Sequence, residues 1–159
     1  MNENNLEKII NNIVGDAIVK EVMSLKLAVK LIETVEEKAA EMGLAVVVAV
    51  SDASGRPIAV HRMDGAYHGS FDVAVNKTYT STAFQMSTAK LSRLCQPGQD
   101  LYGLQFSNNG KVMILGGGEP LMVGKTMIGA LGVSGGSAQE DSDLAAYGAS
   151  ALKEVIKCL

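Results

Sequence analysis

The sequence predicts a mixed α/β domain of the α+β kind, one antiparallel sheet with helices packed on its faces. Three observations predict it. Stretches of helical apolar periodicity alternate with short β-branched runs in the order α-α-β-β-α-α-β-β-β-α. The strand candidates fall into two groups with helices between them, which suits a single antiparallel sheet. With 159 residues, 47% of them apolar and 19% charged, the chain can bury one core and is too short for two comfortable ones.

Each element has its own local cause. Leu6, Ile9, Ile10, Ile13, Val14, Ala17 and Ile18 form a helical stripe, so residues 1–22 read as an N-terminal amphipathic helix ahead of a domain spanning 24–159. That helix reads as a packing or oligomer-interface helix, or as a docking peptide whose apolar face enters a partner's groove. Its mixed charge, with no basic face, argues against a membrane surface. Ser24 is the N-cap of a second helix whose seam is Leu25, Ala28, Ile32, Val35, Ala39 and Met42, and Gly43 closes it. Leu44 to Val50 is a continuous β-branched run, the pattern of a strand buried on both faces. Asp52 to Gly55 supplies turn chemistry and Pro57 to Met63 returns as the second arm of a hairpin. Ser70 opens a helix with Phe71, Ala74, Val75, Thr78, Tyr79 and Ala83 on its inner face, and a shorter helix covers Thr88 to Leu94 before Pro97-Gly98. Val112–Leu115, Leu121–Val123 and Met127–Val133 are strand candidates, broken by Gly116–Gly118 and by Gly124-Lys125. Ser137-Ala-Gln-Glu140 is a capping box that opens a last helix running to about Lys157.

Composition excludes several function classes. The formal charge is −3 with acids and bases interspersed, so no basic face follows a nucleic-acid backbone. Tryptophan is absent and aromatics are few, against a stacking platform for bases or sugars. Cys95 and Cys158 lie far apart without a CxxC partner, which removes a disulfide framework or structural zinc site and leaves reduced thiols. No apolar run reaches membrane-spanning length and the N-terminus lacks a signal-peptide layout, so the expected compartment is the cytoplasm.

Glycine-rich loops mark where a small-molecule ligand would approach backbone: Asp64–Gly69, Gly116–Pro120 and Gly132–Ser137. The third runs from a strand into a helix N-terminus, where free amides favour an anion, although any one of these loops taken alone reads first as a tight turn. His68 sits in the first loop, a candidate metal or haem-iron ligand, and His61 lies on the strand before it. Arg62, Asp64, Asp72 and Lys77 gather around that loop, so Arg62 and Lys77 would suit an acidic guest, or Arg62–Asp64 and Lys77–Asp72 would pair on the surface. The expected ligand-binding set is Arg62, Asp64, His68, Lys77, Gly117, Ser134, Gly135 and Gly136, arranged around a hollow between the glycine segments. No convincing nucleophile–base pair, dinucleotide fingerprint or phosphate loop accompanies them, so no catalytic residue is assigned and no nucleotide is expected.

Several motifs then occur in one order: Val50-Ser-Asp52 with Gly55, Arg62-Met-Asp-Gly-Ala66, Gly69 to Ala74, Lys77-Thr-Tyr-Thr80, Ala83-Phe84, Pro97-Gly98, Gly116 to Pro120, and Ile128 to Gly136 followed by Asp141. Together they resemble the GlcG/HbpS family, which also forms the C-terminal domain of PduO proteins, over about residues 24–157. The resemblance implies a profilin-like sandwich, homo-oligomers that are often octamers, and haem binding in several members. It implies an accessory role beside propanediol, glycerol or glycolate catabolism, and no cobalamin adenosylation, because the adenosyltransferase half of PduO has no counterpart in these motifs. It assigns no universal axial ligand. Residues 1–22 are similar to the encapsulation peptides of bacterial microcompartment cargo, which would bring a shell protein as partner and the compartment lumen as location. An enzyme or accessory acting on a small acid or aldehyde, and a purely structural oligomer, are the alternative expectations.

Overall fold

The computed structural model describes residues 22–159. The helix expected over residues 1–22 therefore lies, but for its last residue, outside the described residues. The elements are α1 (Leu25–Glu41), β1 (Val47–Asp52), β2 (Pro57–Arg62), α2 (Ser70–Phe84), α3 (Thr88–Leu94), two short 3-10 turns at Leu104–Phe106 and Asn108–Gly110, β3 (Gly118–Val123), β4 (Thr126–Ser134) and α4 (Ala138–Lys157). The strands form one sheet in the order β2-β1-β4-β3, antiparallel throughout. The anticipated α+β architecture is the observed one.

The helix ends are set by the residues read from sequence. Ser24 Oγ accepts from the Leu27 amide at 3.2 Å at the start of α1, and Gly43 follows its end at φ +72°. At α4 the capping box closes in both directions: Ser137 Oγ accepts from the Glu140 amide at 3.3 Å and Glu140 Oε2 accepts from the Ser137 amide at 2.7 Å.

The sheet sorts its residues by alternation. Val46, Val48, Val50, Leu131 and Val133 meet Leu31, Ile32, Val35, Leu144 and Leu152 of α1 and α4 in the main core. Complete burial of each of these branched side chains contributes about 1.5–3 kcal/mol. Val47 and Ala49 face the other way, toward Ala74 of α2, and with Ala66 form a smaller cluster built from small residues. A third cluster, Leu91, Cys95 and Val112 with Phe84, Leu101 and Leu104 around it, anchors α3 and the long loop.

One strand expectation fails. Val112–Leu115 pairs with no strand; Val112 is buried in the third cluster, and the Met113 amide donates to Thr80 Oγ1 of α2 at 2.8 Å. An apolar run carries no information about whether its amides find a strand or a side chain, and here a threonine on α2 takes one. The adjoining glycines compensate, since Gly118 is already in β3, paired with Gly132.

The α2 layer sits close to the sheet because Gly132 has no side chain. A Cβ there would lie 2.1 Å from the Ala74 carbonyl oxygen. Gly132→Ala is therefore expected to lift α2 and cost about 2 kcal/mol or more. Thermal denaturation should show a fall of roughly 5 °C or more for a domain of this size. An unchanged melting temperature would mean α2 does not need that contact.

Candidate functional site

The β2–α2 junction is a short loop with its polar groups outward. Its turn is closed by the Ala66 amide donating to the Met63 carbonyl at 3.0 Å, with Gly65 at φ +86°. A left-handed residue at that point favours glycine. The first turn of α2 follows directly, the Ser70 amide donating to Tyr67 and the Phe71 amide to His68. Arg62, Asp64 and His68 are all exposed. Arg62 turns its guanidinium onto His68 Nδ1, so these two predicted site residues do come together. Tyr67 and Phe71 flank them, 73% and 43% exposed, an unusual amount of bare aromatic surface in a chain with so few aromatics. His61 points elsewhere, its Nδ1 3.3 Å from Glu36 Oε2 of α1.

The other half of the predicted set converges on a different place. Lys77 is buried, 1% exposed, and donates from Nζ to the Val133 carbonyl at 2.6 Å and to Asp141 Oδ2 at 2.8 Å. Its partner is thus Asp141 of α4, not Asp72. Asp141 Oδ1 in turn accepts from the Gly136 amide at 2.9 Å. Gly117, at φ +108°, closes over the pair: a Cβ on it would lie 2.9 Å from Lys77 Nζ and 2.6 Å from the Val133 oxygen. Gly135 is packed as tightly, its missing Cβ 2.6 Å from the Ala45 oxygen, and Ser134 is buried at the end of β4. The hollow expected between the glycine segments is therefore filled by the lysine side chain. The helix N-terminus expected to receive an anion has two of its flanking amides, Gly136 and Ser137, already bonded to the chain's own Asp141 and Glu140. Burial pushes the Lys77 ammonium below its ordinary range, against the opposing hydrogen bond and charge of Asp141.

A cleft of about 190 Å³ opens between the β1–β2 turn and the middle of α2. Its walls include Arg56, Asn76, Tyr79 and Lys111, none of them in the sequence-derived set. They come from three distant segments, and no spacing in the sequence joins them. Glu119, half-buried on β3, has its carboxyl raised above the usual range by desolvation. Among the described residues no cluster of three or more His, Cys, Asp or Glu has the arrangement of a metal site.

With this geometry in hand, the likenesses to known proteins are specific. Residues 23–150 match the family model described as haem degrading protein HbpS-like. The chain is 40% identical over 123 residues to an uncharacterised 15.0 kDa protein from the dhaT–dhaS intergenic region of Citrobacter freundii, covering 77% of this chain and 87% of that protein. It is also 40% identical over 109 residues to the corrinoid adenosyltransferase PduO of Salmonella typhimurium, covering 69% of this chain and 32% of PduO. It spans about a third of PduO's length. Among solved structures, the crystal structure of the PduOC:haem complex superposes with a TM-score of 0.78 at 36% identity, over 82% of this chain and 94% of that one.

The buried pair makes a direct test available. Lys77→Met leaves the Asp141 carboxylate buried with its cation gone, which should cost about 3–5 kcal/mol. That corresponds to a fall in melting temperature on the order of 10 °C. Adding Asp141→Asn removes the stranded charge and should recover part of the loss. Full stability in Lys77→Met would show that the pair contributes nothing to the fold.

Proposed function

The chain belongs to the haem degrading protein HbpS-like family, and from that premise we propose that it is a haem-binding accessory protein. It works as a homo-oligomer in small-molecule catabolism of the propanediol or glycerol type. The observation that carries the reading is the exposed group at the β2–α2 junction: the His68 imidazole, the Arg62 cation, and the bare rings of Tyr67 and Phe71. This donor set fits a ferric tetrapyrrole, with an imidazole nitrogen for iron, a guanidinium for a propionate, and aromatic surface for the macrocycle. Haem, when bound, supplies the redox-active iron.

The chain's own residues govern whether that imidazole is available. A guanidinium can only donate, so Arg62 against Nδ1 leaves the neutral ring's proton on Nε2. Ligation through Nε2 requires the proton to move to Nδ1 and Arg62 to leave it. Arg62 thus opposes iron binding at Nε2 while its charge favours the propionates.

The metabolic setting rests on the relatives: one is a PduO protein and another is named for its place between dhaT and dhaS. The adenosyltransferase activity of PduO is not proposed for this chain. Self-association is supported by Tyr102 and Phe106, aromatics exposed on the loop after α3 that offer apolar surface to a second copy. No helix among the described residues is long and apolar enough to cross a membrane. We place the protein in the cytoplasm, with residues 1–22 as a docking helix for the shell protein of a microcompartment.

Titration of the full chain with hemin should give a saturable Soret band. His68→Ala should displace that band and weaken binding about tenfold or more. A titration indistinguishable from hemin in buffer removes the proposal. Separately, residues 1–22 fused to a fluorescent protein should form puncta in a host that makes the compartment, and diffuse fluorescence would end the docking role.

A further inference from the structure

The cleft beneath the β1–β2 turn carries an inference that does not rest on the haem reading. From the residues that wall it, we infer that it is a binding site for a small short-chain carboxylate.

The turn that forms one wall is held rigidly. Asp52 Oδ1 accepts from the amides of Ser54 at 2.8 Å and Arg56 at 3.0 Å, and the Asp52 amide donates to the Arg56 carbonyl at 2.9 Å. Gly55, at φ +75°, lies against α2 so closely that a Cβ would fall 2.6 Å from Thr82 Oγ1. This geometry sets Arg56 at the rim of the cleft with its side chain exposed. Lys111 also lines the cleft, following three successive left-handed residues, Asn108, Asn109 and Gly110. Its Nζ stands 5.9 Å from the centre of the Tyr79 ring.

Arg56 and Lys111 are the charged residues of the lining, and among the described residues neither makes a salt bridge. Two like charges across so small a space repel, and an anion between them relieves the repulsion. Tyr79 adds a directed donor. Its hydroxyl oxygen already accepts from Asn108 Nδ2 at 2.8 Å, which leaves its own hydrogen to donate. Asn76 supplies a further amide on the same side of α2.

Size and the apolar share of the wall select the class of anion. At about 190 Å³ the cleft falls below the roughly 300–1,000 Å³ of pockets that take drug-sized ligands, so it suits a guest much smaller than a tetrapyrrole. Val75 and Pro57 line the remaining wall, so a hydrocarbon tail has a surface to cover and a bare inorganic anion does not. A carboxylate of two to four carbons meets both conditions.

The test is a heteronuclear NMR titration of the full chain with sodium butyrate against matched sodium chloride. Saturable shifts are expected at the Gly55, Asn76 and Lys111 amides. Arg56→Gln with Lys111→Gln should weaken binding about tenfold or more. Tyr79→Phe, which keeps the ring beneath Lys111, should weaken it severalfold. Absence of saturable shifts overturns the inference, and so does phosphate binding as tightly as butyrate. A changed oligomer mass in the double variant would make the cleft a contact between copies, and an altered hemin titration would merge it with the tetrapyrrole site. Either result overturns the assignment.

Discussion

The buried Lys77–Asp141 pair is the interaction around which the rest of the molecule is arranged. Lys77 starts on α2, which covers one face of the sheet, and ends on the first turn of α4, which packs on the other. It crosses where β4 ends, donating to the Val133 carbonyl on the way. Burying an ammonium is costly unless each donor finds an acceptor, and here a carboxylate and a backbone carbonyl take two of the three. Side chains on Gly117, Gly118 and Gly132 would collide with Lys77 Nζ, the Lys77 carbonyl and the Ala74 carbonyl respectively. The glycines near the sheet's end clear a passage for one lysine and for the helix that carries it.

This arrangement changes what the helix N-terminus of α4 can do. Asp141 and Glu140 hold the Gly136 and Ser137 amides, so the positive end of that helix is already neutralised from within. A glycine-rich loop leading into a helix resembles an anion cradle whether or not its amides are free, and here the chain's own carboxylates occupy them. Capacity to bind an acidic guest therefore moves outward, to cations that the core does not use: Arg62 at the end of β2 beside His68, and Arg56 and Lys111 on the cleft.

The fold was largely legible because its causes are local. The Ser24 cap, the Ser137–Glu140 box and the β-branched run through Val50 each act within a few residues of where they are read. The misread strand at Val112–Leu115 depended on Thr80, a residue 33 positions from the amide it captures. The candidate site was legible in the same proportion. Arg62 and His68 lie six positions apart across one turn and do meet. Lys77 was recognised as a residue of consequence, but its partner stands 64 positions away, beyond any spacing argument. Arg56, Tyr79 and Lys111 share no motif at all, and only the folded chain makes them neighbours.

α2 links these separate observations. A helix has one rotational degree of freedom about its axis, and a buried ion pair at Lys77 removes it. With Lys77 directed inward, the helical period turns Val75, Asn76 and Tyr79 toward the β1–β2 turn. The same helix opens just after His68, whose carbonyl accepts from the Phe71 amide and whose ring meets Arg62. A rotation of α2 by one residue would take Lys77 Nζ away from Asp141 and the Val133 carbonyl and turn Asn76 and Tyr79 off the cleft, costing both the core pair and the cleft at once. The interior charge therefore makes no contact with a guest in either proposed site, yet it sets the orientation of the residues that would.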